Sequence, residues 1–247
     1  MKKLIVFTVL SVYSVAGTIQ IAVAANVSYA IKNLTQAFNE EHPETKVQVI
    51  LGSSGKLTAQ IKHGAPYQLF MSANMMYPEA LYRQKMAVTK PVVYAEGTLA
   101  YLTVKSYDFS KGIDIVKDPQ IKRIAVANPK TAPYGIATRE ALKNAGVYDV
   151  IKSKFIFGES ISQTVSYTVT ASDLGFIAKS SLYSNQMQQY KEGENWREVD
   201  AKLYTPIAQG IVILKRGESN AEVKAFYDFI LSDTGKKILK KFGYNLP

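Results

Sequence analysis

Four places in the sequence put small or hydroxylic residues where a strand is expected to run into a helix: Ala24-Ala25-Asn26, Gly52-Ser53-Ser54-Gly55, Ala132-Pro133-Tyr134-Gly135 and Gly158-Glu159-Ser160-Ile161. The first turn of a helix carries N–H groups with no intrahelical partner and a partial positive charge, so it attracts anions without a cationic side chain. One such junction alone is an ordinary N-cap or tight turn. Several converging on one cleft would make an uncharged cradle for an anion, and in open α/β sheets ligands gather at the C-terminal ends of the strands.

Other chemistries lack parts. In GSSGKL the phosphate-loop spacing GxxxxGK[ST] is absent, and Leu57 stands where Ser or Thr would hold Mg²⁺. A serine hydrolase would need G-x-S-x-G and a histidine base, whereas the only histidines are His42 in EEHPE and His63 in KHGAP, both read as exposed turn positions. With no cysteine and two separated histidines, there is no thiolate site and no convergent ligand set for a metal. A phosphoryl- or sulfuryl-transfer enzyme would need a base and usually a metal, and neither is visible. No catalytic residue and no cofactor are expected.

The elements that would carry the junctions are legible in outline. Ile19–Val23 reads as a short buried strand, and the next segment places Val27, Ala30, Ile31, Leu34 and Phe38 at helical spacing. Lys46–Leu51 is a second strand, leading through the Gly-Ser turn into a helix with Leu57 and Ile61 that ends near Gly64. Strands are further expected at Gln68–Ala73, as one long run at Gly97–Lys105, and at Ile124–Asn128, Phe155–Phe157, Gly175–Ala178 and Ala208–Leu214. Helices are expected from near Tyr134, from Ile161, and twice at the C-terminal end, the first with Val223, Phe226, Tyr227 and Ile230 on one face. This alternation implies an α/β fold with parallel sheets covered on both sides, and the length suits two lobes facing each other. The chain is expected to cross between them before Gly97 and around Tyr204 to Ile207.

The first residues, MKKLIVFTVLSVYSVAG, have the pattern of a cleavable secretory signal, with cleavage expected near Ala16 or Gly17. Its apolar run is shorter than the roughly 20 residues of a spanning helix, so a mature chain outside the cytoplasm, periplasmic or at the cell surface, is expected. Without a cysteine after the signal, a lipid anchor on an N-terminal Cys is excluded. The formal charge is +10, of which Lys2 and Lys3 supply two, and it favours an anionic over a cationic ligand. The lysines are spread out with no basic run interleaved with aromatics, which argues against nucleic acid.

Four stretches then carry a resemblance: AVAANV, GSSGKLTAQIKHGAPYQLFMSAN, ANPKTAPYGIATREAL and VKAFYDFILSDTGKKILKKFGY. They resemble the periplasmic molybdate-binding proteins of the type II solute-binding fold, over essentially the whole chain after the signal. The resemblance implies two Rossmann-like lobes joined by a hinge, and a dehydrated dianion, molybdate or tungstate, held by backbone N–H groups and neutral side chains. It carries the ligand roles to Asn26, Ser54, Tyr134 and, through its backbone N–H, Ile161, so any Mo or W would be present only as the oxyanion on these four residues. It further implies a monomer that delivers its ligand to the membrane permease of an ABC importer and performs no chemistry. The implied organisation is a signal over 1–17, one lobe from 18–95 plus 206–247, and the other from 96–205. Some members place a tyrosine where this chain has Ala178, and the tyrosine of APYG, where those members have alanine, is a candidate replacement.

Burying a divalent anion costs many kcal/mol unless nearly every lone pair is met, so about five to seven donors are expected, and a cavity larger than sulfate needs would select by size. Another oxyanion is the alternative ligand. Phosphate would favour a carboxylate to accept its proton, for which Asp173 and Glu159 are candidates, both expected at the surface. The sixteen tyrosines raise a ferric-ion binder of the same fold, but the adjacent tyrosine pair such proteins use is absent.

Overall fold

A computed structural model of the chain describes residues 17–247. The expected signal lies outside the described residues except for Gly17. The chain forms two five-stranded α/β sheets, each covered by helices.

In the first lobe, strand β1 (Thr18–Ala24) runs through a 3-10 turn (Ala25–Tyr29) into helix α1 (Ile31–Glu41). Strand β2 (Lys46–Gly52) runs into α2 (Ser54–Lys62), and β3 (Leu69–Met71) is followed by α3 (Met76–Arg83). Strand β4 (Val92–Gly97) leads out of the lobe. In the second lobe come β5 (Leu99–Leu102), β6 (Ile124–Ala127), α4 (Pro133–Asn144), α5 (Tyr148–Ile151), β7 (Phe155–Gly158), α6 (Ile161–Thr170), β8 (Leu174–Ala178) and β9 (Trp196–Glu198). The chain then returns as β10 (Ile207–Ile213), α7 (Ala221–Leu231) and α8 (Asp233–Lys241). The strand orders are β2-β1-β3-β10-β4 and β7-β6-β8-β5-β9.

Strand periodicity accounts for the two covered faces. Along β1, Ile19, Ile21 and Val23 enter one core with Leu34, Phe38 and Phe226, while Ala22 points to the other face beside Leu57, Phe70 and Val212. Phe38 meets Phe226 and Phe229 edge-on, with ring centroids 5.0 and 5.6 Å away. In the second lobe Leu99 and Tyr101 face the core containing Ile124, Val126 and Phe176, and Ala100 and Leu102 face Val165 and Ile177.

Two expectations are corrected. The sheets are mixed: β10 is antiparallel to both β3 and β4, and β5 is antiparallel to both β8 and β9. The reason is the double crossing between lobes. Parallel strands end at the cleft, and a strand arriving from the other lobe starts there, so it must run the opposite way. The run Gly97–Lys105 is likewise not one strand. Gly97 closes β4 in one sheet and Leu99 opens β5 in the other.

Candidate functional site

At the cleft edge of the sheets, β1, β2, β6 and β7 each deliver the chain to the N-terminus of a helix or 3-10 turn. Asn26, Ser54, Tyr134 and Ile161 line one small cavity between the lobes, together with Ser53 and small residues such as Ala25, Ala73 and Ala132. None of the lining side chains is charged.

Each junction leaves donors free for a local reason. Ser54 is the first residue of α2 and Ile161 the first of α6, where no preceding helical carbonyl exists for their N–H groups. Pro133 opens α4 without an N–H, which makes that of Tyr134 the first in the helix. Neither Ser53 nor Ala132, the N-cap residues of α2 and α4, caps its helix with a side-chain hydrogen bond. By contrast Ser160 does cap α6, accepting from the Gln163 N–H at 3.3 Å.

The two adjacent serines play different parts. Ser54 is 1% exposed, and its Oγ accepts the Ala73 N–H at 2.9 Å, leaving its own proton uncommitted. Ser53 donates its proton to Glu159 Oε1 at 2.8 Å across the cleft. Only Ser54 therefore keeps a hydroxyl proton for a ligand.

Asn26 is fully buried and bound into a network reaching both lobes and the C-terminal tail. Its Nδ2 donates to Gln209 Oε1 at 2.8 Å and to Tyr244 Oη at 3.1 Å, and its carbonyl accepts from Ser180 Oγ at 3.1 Å and Tyr244 Oη at 2.8 Å. Both amide hydrogens are thus engaged, and Oδ1 has no partner among the described residues. Gln209 Oε1 also accepts from Tyr94 Oη at 2.8 Å, and Gln209 Nε2 donates to Tyr134 Oη at 3.5 Å. A register shift in β10 between Gln209 and Gly210 re-aims this side chain. Burial pushes the phenols of Tyr94, Tyr134 and Tyr244 up, well away from ionisation at neutral pH.

The Tyr134 hydroxyl therefore lies against Gln209 at the crossing between lobes. A Cβ placed on Gly97 would come within 2.1 Å of it. Ala178 is fully buried at the end of β8, paired with Leu99, and is not among the cavity-lining residues.

Lys56 points to the mouth, its Nζ 4.0 Å from Glu159 Oε2, with both side chains about half exposed. Asp173 is half-buried and accepts the N–H groups of Lys122 and Arg123 through Oδ2. His63 is exposed and His42 half-buried, stacked on Phe38. No group of three or more potential metal ligands occurs among the described residues. A second depression, lined by Gly64, Lys85 and Arg216, lies at the opposite edge of the first lobe, where α2 and α3 end.

Gln209, Tyr244 and Ser180 were not singled out by the sequence. A polar residue inside the apolar strand AQGIVIL was the one available signal, for Gln209.

The model of the family described as bacterial extracellular solute-binding protein matches residues 19–245. The molybdate-binding protein ModA of Azotobacter vinelandii is 34% identical over 234 residues, covering 94% of this chain and 91% of that protein. ModA of Rhodobacter capsulatus is 34% identical over 238 residues, covering 95% and 91%. The solved structure of the periplasmic molybdate-binding protein of Azotobacter vinelandii superposes with a TM-score of 0.85 at 29% identity, over 93% of this chain and 99% of that one. Two mixed sheets facing a neutral cleft, a family model spanning both lobes and near-full-length relatives agree: the chain belongs to the bacterial extracellular solute-binding proteins.

Proposed function

We propose that this protein captures molybdate or tungstate outside the cytoplasm and delivers it to the membrane permease of an ABC importer, without chemistry on the ligand. The observation that carries this reading is the charge-free cavity lined by Ser54, Tyr134 and Ile161, each with its N–H in the first turn of a helix, where Ser54 also keeps a free hydroxyl proton. Asn26 joins them through its backbone N–H, its amide hydrogens being occupied. The names of the full-length relatives supply the identity of the anion. Neutral donors suit a fully deprotonated dianion, which offers only acceptors, and cavity size then separates it from sulfate.

In this reading residues 18–95 plus 206–247 form one lobe and 96–205 the other, and the permease reads the closed monomer. Residues 1–17 direct export to the periplasm and are removed. Micromolar molybdate or tungstate should raise the melting temperature while sulfate at the same concentration should not, since only a ligand selective for the folded state shifts unfolding. Equal shifts from sulfate would defeat the size argument.

A further inference from the structure

We propose that Glu159 is a positioning residue that holds the lobes shut over the bound anion, by accepting the Ser53 hydroxyl across the mouth of the cavity. The inference rests on the oxyanion-binding reading above. Ser53 is the N-cap of α2, a position whose hydroxyl ordinarily serves the helix's own N–H groups, yet it makes no such bond. Its proton goes instead to Glu159 Oε1 at 2.8 Å, in the opposite lobe. Glu159 is fixed there through its backbone: its N–H donates to Gln163 Oε1 at 2.6 Å, and its carbonyl accepts from Thr131 Oγ1 at 3.4 Å. One further cross-lobe bond lies alongside, from the Gly55 N–H to the Thr131 carbonyl at 2.8 Å.

Each partner of the latch adjoins an anion donor. Ser53 precedes Ser54, and Glu159 lies two residues before Ile161. The contact therefore joins the two helix N-termini that approach the ligand from opposite sides, and it exists only while the lobes are closed. Its effect belongs to the release rate and not to the stability of the separate lobes. Lys56 adds little, being 4.0 Å from Oε2 and half exposed.

A carboxylate beside a dianion is repulsive, so electrostatics alone predicts that removing it slows release. The latch predicts the opposite. The test is stopped-flow release from wild type, Glu159→Ala, Glu159→Gln, Ser53→Ala and the double variant Ser53→Ala/Glu159→Ala, with molybdate, tungstate, sulfate and phosphate as probes. Glu159→Ala and Ser53→Ala should each speed release about tenfold or more, in line with a lost hydrogen bond to a charged group. The double variant should be no faster than the faster single one, because the two share one interaction. Glu159→Gln, which keeps the acceptor and loses the charge, should stay within about threefold of wild type, and the ligand-free melting temperatures should not change.

Slower or unchanged release from Glu159→Ala, multiplied effects in the double variant, or a parallel fall in ligand-free stability would overturn the latch. The same pattern of rates with sulfate as the preferred anion would uphold the latch and overturn the molybdate assignment. Binding of none of the four would overturn both.

Discussion

Ser53 and Ser54 show how much a single proton's destination decides. Both are buried at one turn, yet Ser54 keeps its hydroxyl proton and Ser53 spends its own across the cleft. Ser54→Ala should weaken molybdate binding by about 1.5–3 kcal/mol, the range for a hydrogen bond to a charged partner, with the fold intact by circular dichroism. Unchanged affinity would remove Ser54 from the site. Lys56→Ala should cost less than about 1 kcal/mol, since its ion pair is exposed and screened, and the loss should shrink with added salt. A hundredfold loss persisting in high salt, about 2.7 kcal/mol, would show a direct charge contact instead. The buried phenols give a pH test. Their folded pKa values lie above the ordinary tyrosine value of 10.0, so their contribution is fully present below pH 10 and lost as pH climbs past it. Melting temperature should therefore be insensitive to these groups between pH 7 and 9 and fall above about pH 10, a window that a pH series of thermal melts will check. Asn26, Ser54, Tyr134 and Ile161 were named from the sequence because the family resemblance carries ligand roles to them, and the structure sets all four on one cavity. Gln209 and Tyr244 were not, because they reach Asn26 from 183 and 218 residues away, where no local pattern reports a contact.

Helices and strands were legible wherever periodicity and junction residues agreed, as along β1, β2 and α2. The failure at Gly97–Lys105 has a physical cause: an apolar run shows burial, but not which sheet buries it. Here the sheet changes within the run, at Thr98, and only space betrays the change. Gly97 has no room for a Cβ, which would lie 2.1 Å from Tyr134 Oη and 2.6 Å from Gln209 Nε2. Next to it the Leu99 N–H donates to Tyr204 Oη at 3.1 Å, tying the outgoing crossing to the returning one. Gly97→Ala should therefore force Tyr134 and Gln209 apart, at about 1–3 kcal/mol of overpacking. Denaturant melts should show the loss of stability, and titration a loss of molybdate affinity, since Gln209 also holds Asn26. A wild-type melt and affinity would show that the crossing tolerates the extra methyl group.

The whole molecule joins these parts by arithmetic of direction. Parallel strands in each lobe aim their helix N-termini at the cleft, and the two crossings insert β5 and β10 the other way round without disturbing that aim. An alternating sequence reads as parallel because it records the order of elements and not the edge of the sheet at which each begins. The outcome is a positively charged protein whose anion cavity is itself neutral, so the net charge can speed encounter while selectivity is left to hydrogen-bond donors and size. The most direct test is a calorimetric titration of the purified protein with molybdate, repeated in about a hundredfold excess of sulfate, a margin of about 2.7 kcal/mol. The neutral, size-selective cavity predicts a saturable one-to-one heat that survives the sulfate. Absence of that heat, or its abolition by sulfate, would contradict it.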